Sequence, residues 1–245
     1  MKKIIFVLLI VCAVCFTGFA QSSVEMAFLR GIEFINSGNY SRAIAEFNTV
    51  LEKDPNNAAA LYLRGFSYHL NSNYDRAIID YTESLRFDSN NADALINRGV
   101  AYFEINDLDR AIADYTAALR IQPNNVNALN NRAFMYIKRG DFDRALSDLN
   151  AALRIQPDYY YALSNRGIVY YERGDFDQAI ADFTAALRIN PEFIESLYYR
   201  GNSYYEKGSI DLAVRDWETA VKIEPNSTEQ QRYVKEARQR LDSVN

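Results

Sequence analysis

Two cysteines, Cys12 and Cys15, are all the chain has, and both lie close to its N-terminus. Beyond residue 15 no thiol is present, so the rest of the chain forms no disulfide and offers no thiolate nucleophile or metal ligand. Histidine is scarcer still. With His69 alone, no Ser-His-Asp or Cys-His arrangement is completed and no histidine cluster has metal-ligand spacing. A phosphate-binding glycine loop is also missing. Basic residues number 27 against 32 acidic ones, for a formal charge of −5, and they form no runs. That argues against nucleic acid as the partner, because phosphate binding needs clustered Lys and Arg. No cofactor is implied.

Long apolar runs are equally scarce. The one at the start, Ile4 to Val14, follows Lys2 and Lys3 and leads into Gly18-Phe19-Ala20 before Gln21. This is the pattern of a signal peptide over residues 1–20, and it predicts export to a bacterial periplasm or the extracellular space. The run is too short for a transmembrane helix, which needs roughly 20 apolar residues, and no later stretch comes near that length. Processing as a lipoprotein is the rival reading. Val11 and Val14, which precede the two cysteines, are bulkier than that processing accepts.

What the chain does have is a period. Prolines stand at 55, 123, 157, 191 and 225, a 34-residue ladder whose one gap is filled by Ser89. Gly31, Gly65, Gly99, Ala133, Gly167 and Gly201 form a second ladder, and alanines at 43, 77, 111, 145, 179 and 213 form a third. With the glycine as position 8, the units are 24–57, 58–91, 92–125, 126–159, 160–193 and 194–227. Each reads as two helices. Helix A carries large apolar residues at positions 4 and 11, as in Leu95 and Tyr102. A turn follows with Gly or Asn at 15, as in Gly140-Asp141. Helix B holds Ala at 20 and an aromatic or Leu at 24 (Phe47, Tyr81, Tyr115, Leu149, Phe183, Trp217), and the proline at 32 ends it.

The set Leu95, Gly99, Tyr102, Ala111, Tyr115, Ala118 and Pro123, repeated from residue 24 to 227, resembles the tetratricopeptide repeat family. Ala27, Ala133 and Ser89 are small departures from its pattern. The resemblance implies an all-α, right-handed solenoid of six helix-turn-helix units forming a single domain over 21–245. After Thr228 the glycine is gone, but Tyr233, Val234, Ala237 and Leu241 keep a helical stripe over 228–243, and this predicts a capping helix that closes the exposed end of the stack.

Three charged patterns need a reading. Asp107-Leu108-Asp109, Asp141-Phe142-Asp143 and Asp175-Phe176-Asp177 sit where helix B begins, so they read as helix caps rather than calcium ligands. Arginine fills position 7 in every unit (30, 64, 98, 132, 166, 200) and an acid fills position 23 (46, 80, 114, 148, 182, 216). At about 100° per residue both ladders point toward the packed side, where an unpaired charge is costly. They are therefore expected to pair with each other, between helices A and B or across repeats.

Positions 2, 5, 6, 9, 12 and 13 of helix A lie on the opposite arc, which in the resembled family lines the concave groove. Asn97, Asn131 and Asn165 hold position 6, with Asn130 beside them at position 5. A side-chain amide can pair with a peptide backbone without demanding a sequence, and the ladder is similar to that in the repeat domain of O-linked N-acetylglucosamine transferase. A second reading takes Asn-Arg-Gly as simply common in bacterial repeats of this kind. Phe66, Phe103 and Phe134 make the early groove apolar, and Tyr161, Tyr171, Tyr198, Tyr199 and Tyr205 make the later groove tyrosine-rich. The position-11 tyrosines (68, 102, 136, 170, 204) are expected in the core, and His69 in the groove or packed beside it. Position 5 is never lysine and position 2 is never basic, so the carboxylate clamp of the family's chaperone-binding members is missing.

The resulting expectation is a non-catalytic scaffold that grips an extended, neutral or basic segment of a protein or peptide. The alternative is a solute- or glycan-binding accessory protein with a tyrosine-lined pocket in repeats 5 and 6.

Overall fold

Each 34-residue unit folds as one antiparallel helical hairpin in the computed structural model, which describes residues 23–244. The signal-peptide reading falls on residues 1–20, outside the described residues. Helix A and helix B of the six hairpins are α1 (Ser23–Asn36) and α2 (Tyr40–Lys53), α3 (Ala58–Leu70) and α4 (Tyr74–Phe87), α5 (Ala92–Glu104) and α6 (Leu108–Ile121), α7 (Val126–Lys138) and α8 (Phe142–Ile155), α9 (Tyr160–Glu172) and α10 (Phe176–Ile189), and α11 (Ile194–Glu206) and α12 (Ile210–Lys222). A last helix, α13 (Thr228–Val244), follows. The described helices form two compact units, α1–α6 and α7–α13. Within each unit a hairpin packs its helix B against helix A of the next.

The hairpin turn reverses the chain through one residue with positive φ, at position 15. Gly38, Gly140, Gly174 and Gly208 take it at φ of 73–80°, while Ser72 (59°) and Asn106 (61°) take it with a side chain attached. A serine pays more than glycine there, because its Cβ crowds the following carbonyl.

The interior of each hairpin is a match of sizes. All six position-20 alanines are fully buried, as are the rings of Phe47, Tyr81, Tyr115, Phe183 and Trp217 at position 24. A Cβ added to Gly99 would lie 2.8 Å from the Tyr115 ring, and one added to Gly167 would lie 2.7 Å from Phe183. Repeat 4 departs from both rules at once: Ala133 replaces the glycine where Leu149 replaces the aromatic, and both are fully buried.

The expected pairing of position 7 with position 23 is present in all six hairpins. Nε and Nη2 of Arg64, Arg98, Arg132, Arg166 and Arg200 donate to both carboxylate oxygens of Asp80, Asp114, Asp148, Asp182 and Asp216 at 2.7–2.8 Å. Arg30 makes a single bond to Glu46 at 2.7 Å. The third arm of the fork reaches the preceding repeat: Nη1 donates to Asn48 from Arg64, to Thr82 from Arg98, to Asn150 from Arg166 and to Thr184 from Arg200, at 2.7–3.1 Å. One planar guanidinium thus ties two helices of its own hairpin and the helix before them.

The position-11 tyrosines differ from expectation. Tyr102 and Tyr136 are buried, but Tyr68, Tyr170 and Tyr204 are half-buried. Arginines stand beside buried and half-buried rings alike. Arg98 and Arg110 flank Tyr102 at 5.9 and 4.6 Å, and Arg76 lies 5.5 Å over Tyr68.

Capping follows the sequence in part. Asn57, Asn91 and Asn125, at position 34, accept from the amides of Ala60, Ala94 and Ala128 at the start of α3, α5 and α7. Asp107 and Asp141 likewise cap α6 and α8 through the amides of Arg110 and Arg144, whereas Asp175 makes no side-chain cap bond. At α9 and α11 the cap positions hold Tyr159 and Phe193, which cannot accept the amide, and each loss costs about 1 kcal/mol.

Candidate functional site

Adjacent A helices within each unit lie side by side and present positions 2, 5, 6 and 9 on one face. In the first unit this face belongs to α1, α3 and α5. The rings of Tyr62 and Phe66 stack with centroids 6.4 Å apart, and Phe28, Ile32, Tyr62, Phe66 and Leu70 rest half-buried on the core below. Leu29 is 40% exposed. Phe103 is half-buried on α5. Asn97 Nδ2 donates to the Tyr62 hydroxyl at 3.0 Å, which leaves its second N–H and its carbonyl oxygen. Burial pushes the Tyr62 phenol above its ordinary pKa, and the Asp93 charge adds to the shift. Asp93 and Glu104 stand exposed on the same helix. His69 packs edge-on to Tyr74 at 5.4 Å.

In the second unit the corresponding face is tied up in contacts between helices. Asn165 is buried and donates to Asn130 at 2.9 Å, while Asn130 in turn reaches Asn131 at 3.5 Å. Lys138 lies 4.8 Å from the Phe134 ring. The five tyrosines separate into three places. Tyr171 and Tyr199 meet at 5.4 Å, and Tyr198 and Tyr199 both pack on Tyr233 of α13, at 5.4 and 5.8 Å. Tyr205 lies beside Trp217 at 5.8 Å, with Arg240 over its ring. Tyr161 stands apart from these at the α8–α9 connection, 5.6 Å from Phe193.

The sequence places Tyr233 in the capping stripe, but the contact between Tyr233 and Glu195 escaped the sequence reading. The signal was the period itself, since Tyr233 falls at position 6 when the count continues past residue 227. Position 5 of one repeat meets position 6 of the next in Tyr62 to Asn97, Asn130 to Asn165 and Tyr198 to Tyr233. The Tyr233 hydroxyl donates to Glu195 at 2.7 Å. Burial raises the Glu195 carboxyl from 4.5 to about 7, helped by Glu229 and opposed by the Tyr233 hydrogen bond, Lys138 and Arg232.

A cavity of about 510 Å³ opens between the end of α12 and α13, lined by Val221, Ile223, Pro225, Gln231, Val234 and Arg238 among others and by no tyrosine. The tyrosine-lined pocket of the alternative reading finds no support there. Among the described residues no group of His, Cys, Asp or Glu is arranged to hold a metal ion, and no helix is long and apolar enough to cross a membrane.

Five family models, each for the tetratricopeptide repeat, match residues 28–92, 92–125, 114–147, 133–197 and 194–227. No curated protein matches the chain significantly. Among solved structures, a tetratricopeptide repeat protein from Parabacteroides merdae is 22% identical with a TM-score of 0.73, over 87% of this chain and 88% of that one. PilW, a type IV pilus biogenesis factor, is 20% identical with a TM-score of 0.74, over 86% and 98%. YrrB, a repeat protein with an unusual peptide-binding site, is 21% identical with a TM-score of 0.59, over 77% and 97%. These likenesses are of fold.

Proposed function

The chain belongs to the tetratricopeptide repeat family, a fold of protein-protein interaction scaffolds, and on that premise we propose that it is a non-catalytic scaffold holding an extended segment of a partner on its A-helix face. The observation that carries this reading is the half-exposed apolar face of α1, α3 and α5, which presents Leu29, Phe66 and Phe103 and on which Asn97 spends one N–H on Tyr62 and keeps a donor and an acceptor. An extended strand offers alternating apolar side chains and a backbone in need of partners, and this face supplies both. The exposed Asp93 and Glu104 favour a neutral or basic segment over an acidic one. YrrB supports the idea in principle, as a protein of this fold with a peptide-binding site.

Asn130, Asn131 and Asn165 enter the proposal differently from Asn97, because their amides bond one another. Tyr198 and Tyr199 contribute mainly by seating α13. Peptides selected from an unbiased library against the purified chain should lose affinity for the Leu29→Asp variant. Affinity that survives that charge would remove the face from the account. Export, read from Lys2, Lys3 and the apolar run after them, is part of the same proposal. It predicts that mature protein isolated from an extracytoplasmic fraction begins at Gln21.

A further inference from the structure

Positions 33 and 34, where one hairpin hands over to the next, read Asn-Asn in the first three repeats: 56–57, 90–91 and 124–125. In the next two they read Asp158-Tyr159 and Glu192-Phe193, and Tyr160-Tyr161 replaces the small residues that open α3. The exchange gives up a helix-cap bond twice in succession, although the backbone is unchanged. Tyr159 sits at φ −79°, ψ 90° and Phe193 at φ −77°, ψ 93°, close to the φ −74°, ψ 103° of the capping Asn125. A local rule broken twice with no gain to the helix points to a use for the residues that break it.

What replaces the caps is one cluster of rings. Tyr160 and Tyr161 are 4.1 Å apart and tilted 30°, Tyr159 lies 5.7 Å from Tyr161, and Phe193 meets Tyr160 and Tyr161 edge-on at 5.2 and 5.6 Å. The Tyr159 hydroxyl donates to Asn127 at 2.9 Å, which fixes its ring. Tyr161 is 44% exposed, and Asp158 and Glu192 beside the cluster are exposed.

At several other tyrosines the chain places one of its own cations over the ring: Arg76 over Tyr68, Arg110 over Tyr102, Arg144 over Tyr136, Arg232 over Tyr233 and Arg240 over Tyr205, at 4.6–5.6 Å. Among the described residues no guanidinium or ammonium lies over Tyr159, Tyr160, Tyr161 or Phe193, although Arg154 and Arg188 stand one turn back on α8 and α10. The electron-rich faces and two added carboxylates are complementary to positive charge.

We propose that this edge, Tyr159, Tyr160, Tyr161 and Phe193 with Asp158 and Glu192, is a docking site for an arginine or lysine side chain of a partner protein, separate from the A-helix face.

The test uses the purified chain and two synthetic peptides, acetyl-Gly-Arg-Gly-Arg-Gly-amide and the same peptide with citrulline in place of arginine. Binding is followed by NMR titration. The key variant is Tyr159→Asn with Phe193→Asn, which restores the asparagine caps and leaves net charge untouched. The arginine peptide should bind the parent chain and shift resonances of Tyr161. It should bind the variant about tenfold more weakly, while the variant's NMR spectrum shows it folded as the parent is. Citrulline should bind weakly to both, and Leu29→Asp should bind arginine as the parent does. Equal affinity of parent and variant, equal binding of citrulline and arginine, no binding to the parent, or loss of binding in Leu29→Asp would each overturn the proposal.

Discussion

The Tyr233 hydroxyl donates to the Glu195 carboxyl across 2.7 Å and so pins α13 to the first turn of α11. Burial raises that carboxyl from 4.5 in water to about 7 in the fold, so the folded chain holds a proton that the unfolded chain releases between those values. The sign follows from linkage. The contribution is fully present below pH 4.5 and fades as pH rises through about 7, by at most about 3 kcal/mol and less if the site admits water. The protection of α13 amides, relative to their intrinsic exchange rates, should therefore fall between pH 5 and 8, and the Glu195→Gln variant should flatten that dependence. An equally steep profile in the variant would assign it to other groups.

Ser72 carries a positive φ that four of the six turns give to glycine. Replacing it removes the crowding of Cβ, so Ser72→Gly should stabilise the chain by about 1 kcal/mol in denaturant melts. Gly140→Ala, at φ 73°, should move the midpoint the other way. A lower midpoint for Ser72→Gly would show that the serine side chain has a role at this turn.

The arginine forks are not of equal worth. The Arg98 side chain is 17% exposed, so Asp114→Ala strands a guanidinium that water reaches poorly and should cost about 2 kcal/mol. Arg30 is 45% exposed and bonds Glu46 once, so Glu46→Ala should cost much less. Paired thermal melts of the two variants decide the point. Equal losses would contradict a burial-dependent role.

Gly99→Ala would set a methyl 2.8 Å from Tyr115 and should cost about 2 kcal/mol. Adding Tyr115→Leu should recover part of that loss, because repeat 4 already uses alanine with leucine. A double variant less stable than the sum of its single changes would refute the size match.

The hairpins, their turns and the Arg-acid pairing were legible because each follows from spacing within a single repeat. A period of 34 sets the unit, and the turn of the helix sets which side each charge faces. What lay hidden were contacts between repeats. Helical periodicity puts Asn165 and Tyr198 on the open arc, yet does not show that Asn130 and Tyr233, 35 residues away, cover them. The tyrosines likewise look alike as a composition, whereas packing assigns Tyr199 to α13, Tyr205 to Trp217 and Tyr161 to an edge. Spacing alone does not separate the half-exposed Tyr68 and Tyr204 from the buried Tyr102 and Tyr136.

Hydrogen exchange of the chain with and without a library-selected peptide tests the scaffold reading most directly. Protection should appear along α1, α3 and α5, around Leu29, Phe66, Asn97 and Phe103, with α2, α4 and α6 unchanged. Protection confined to α2, α4 and α6, or none on the A helices, would contradict the assignment of partner binding to that face.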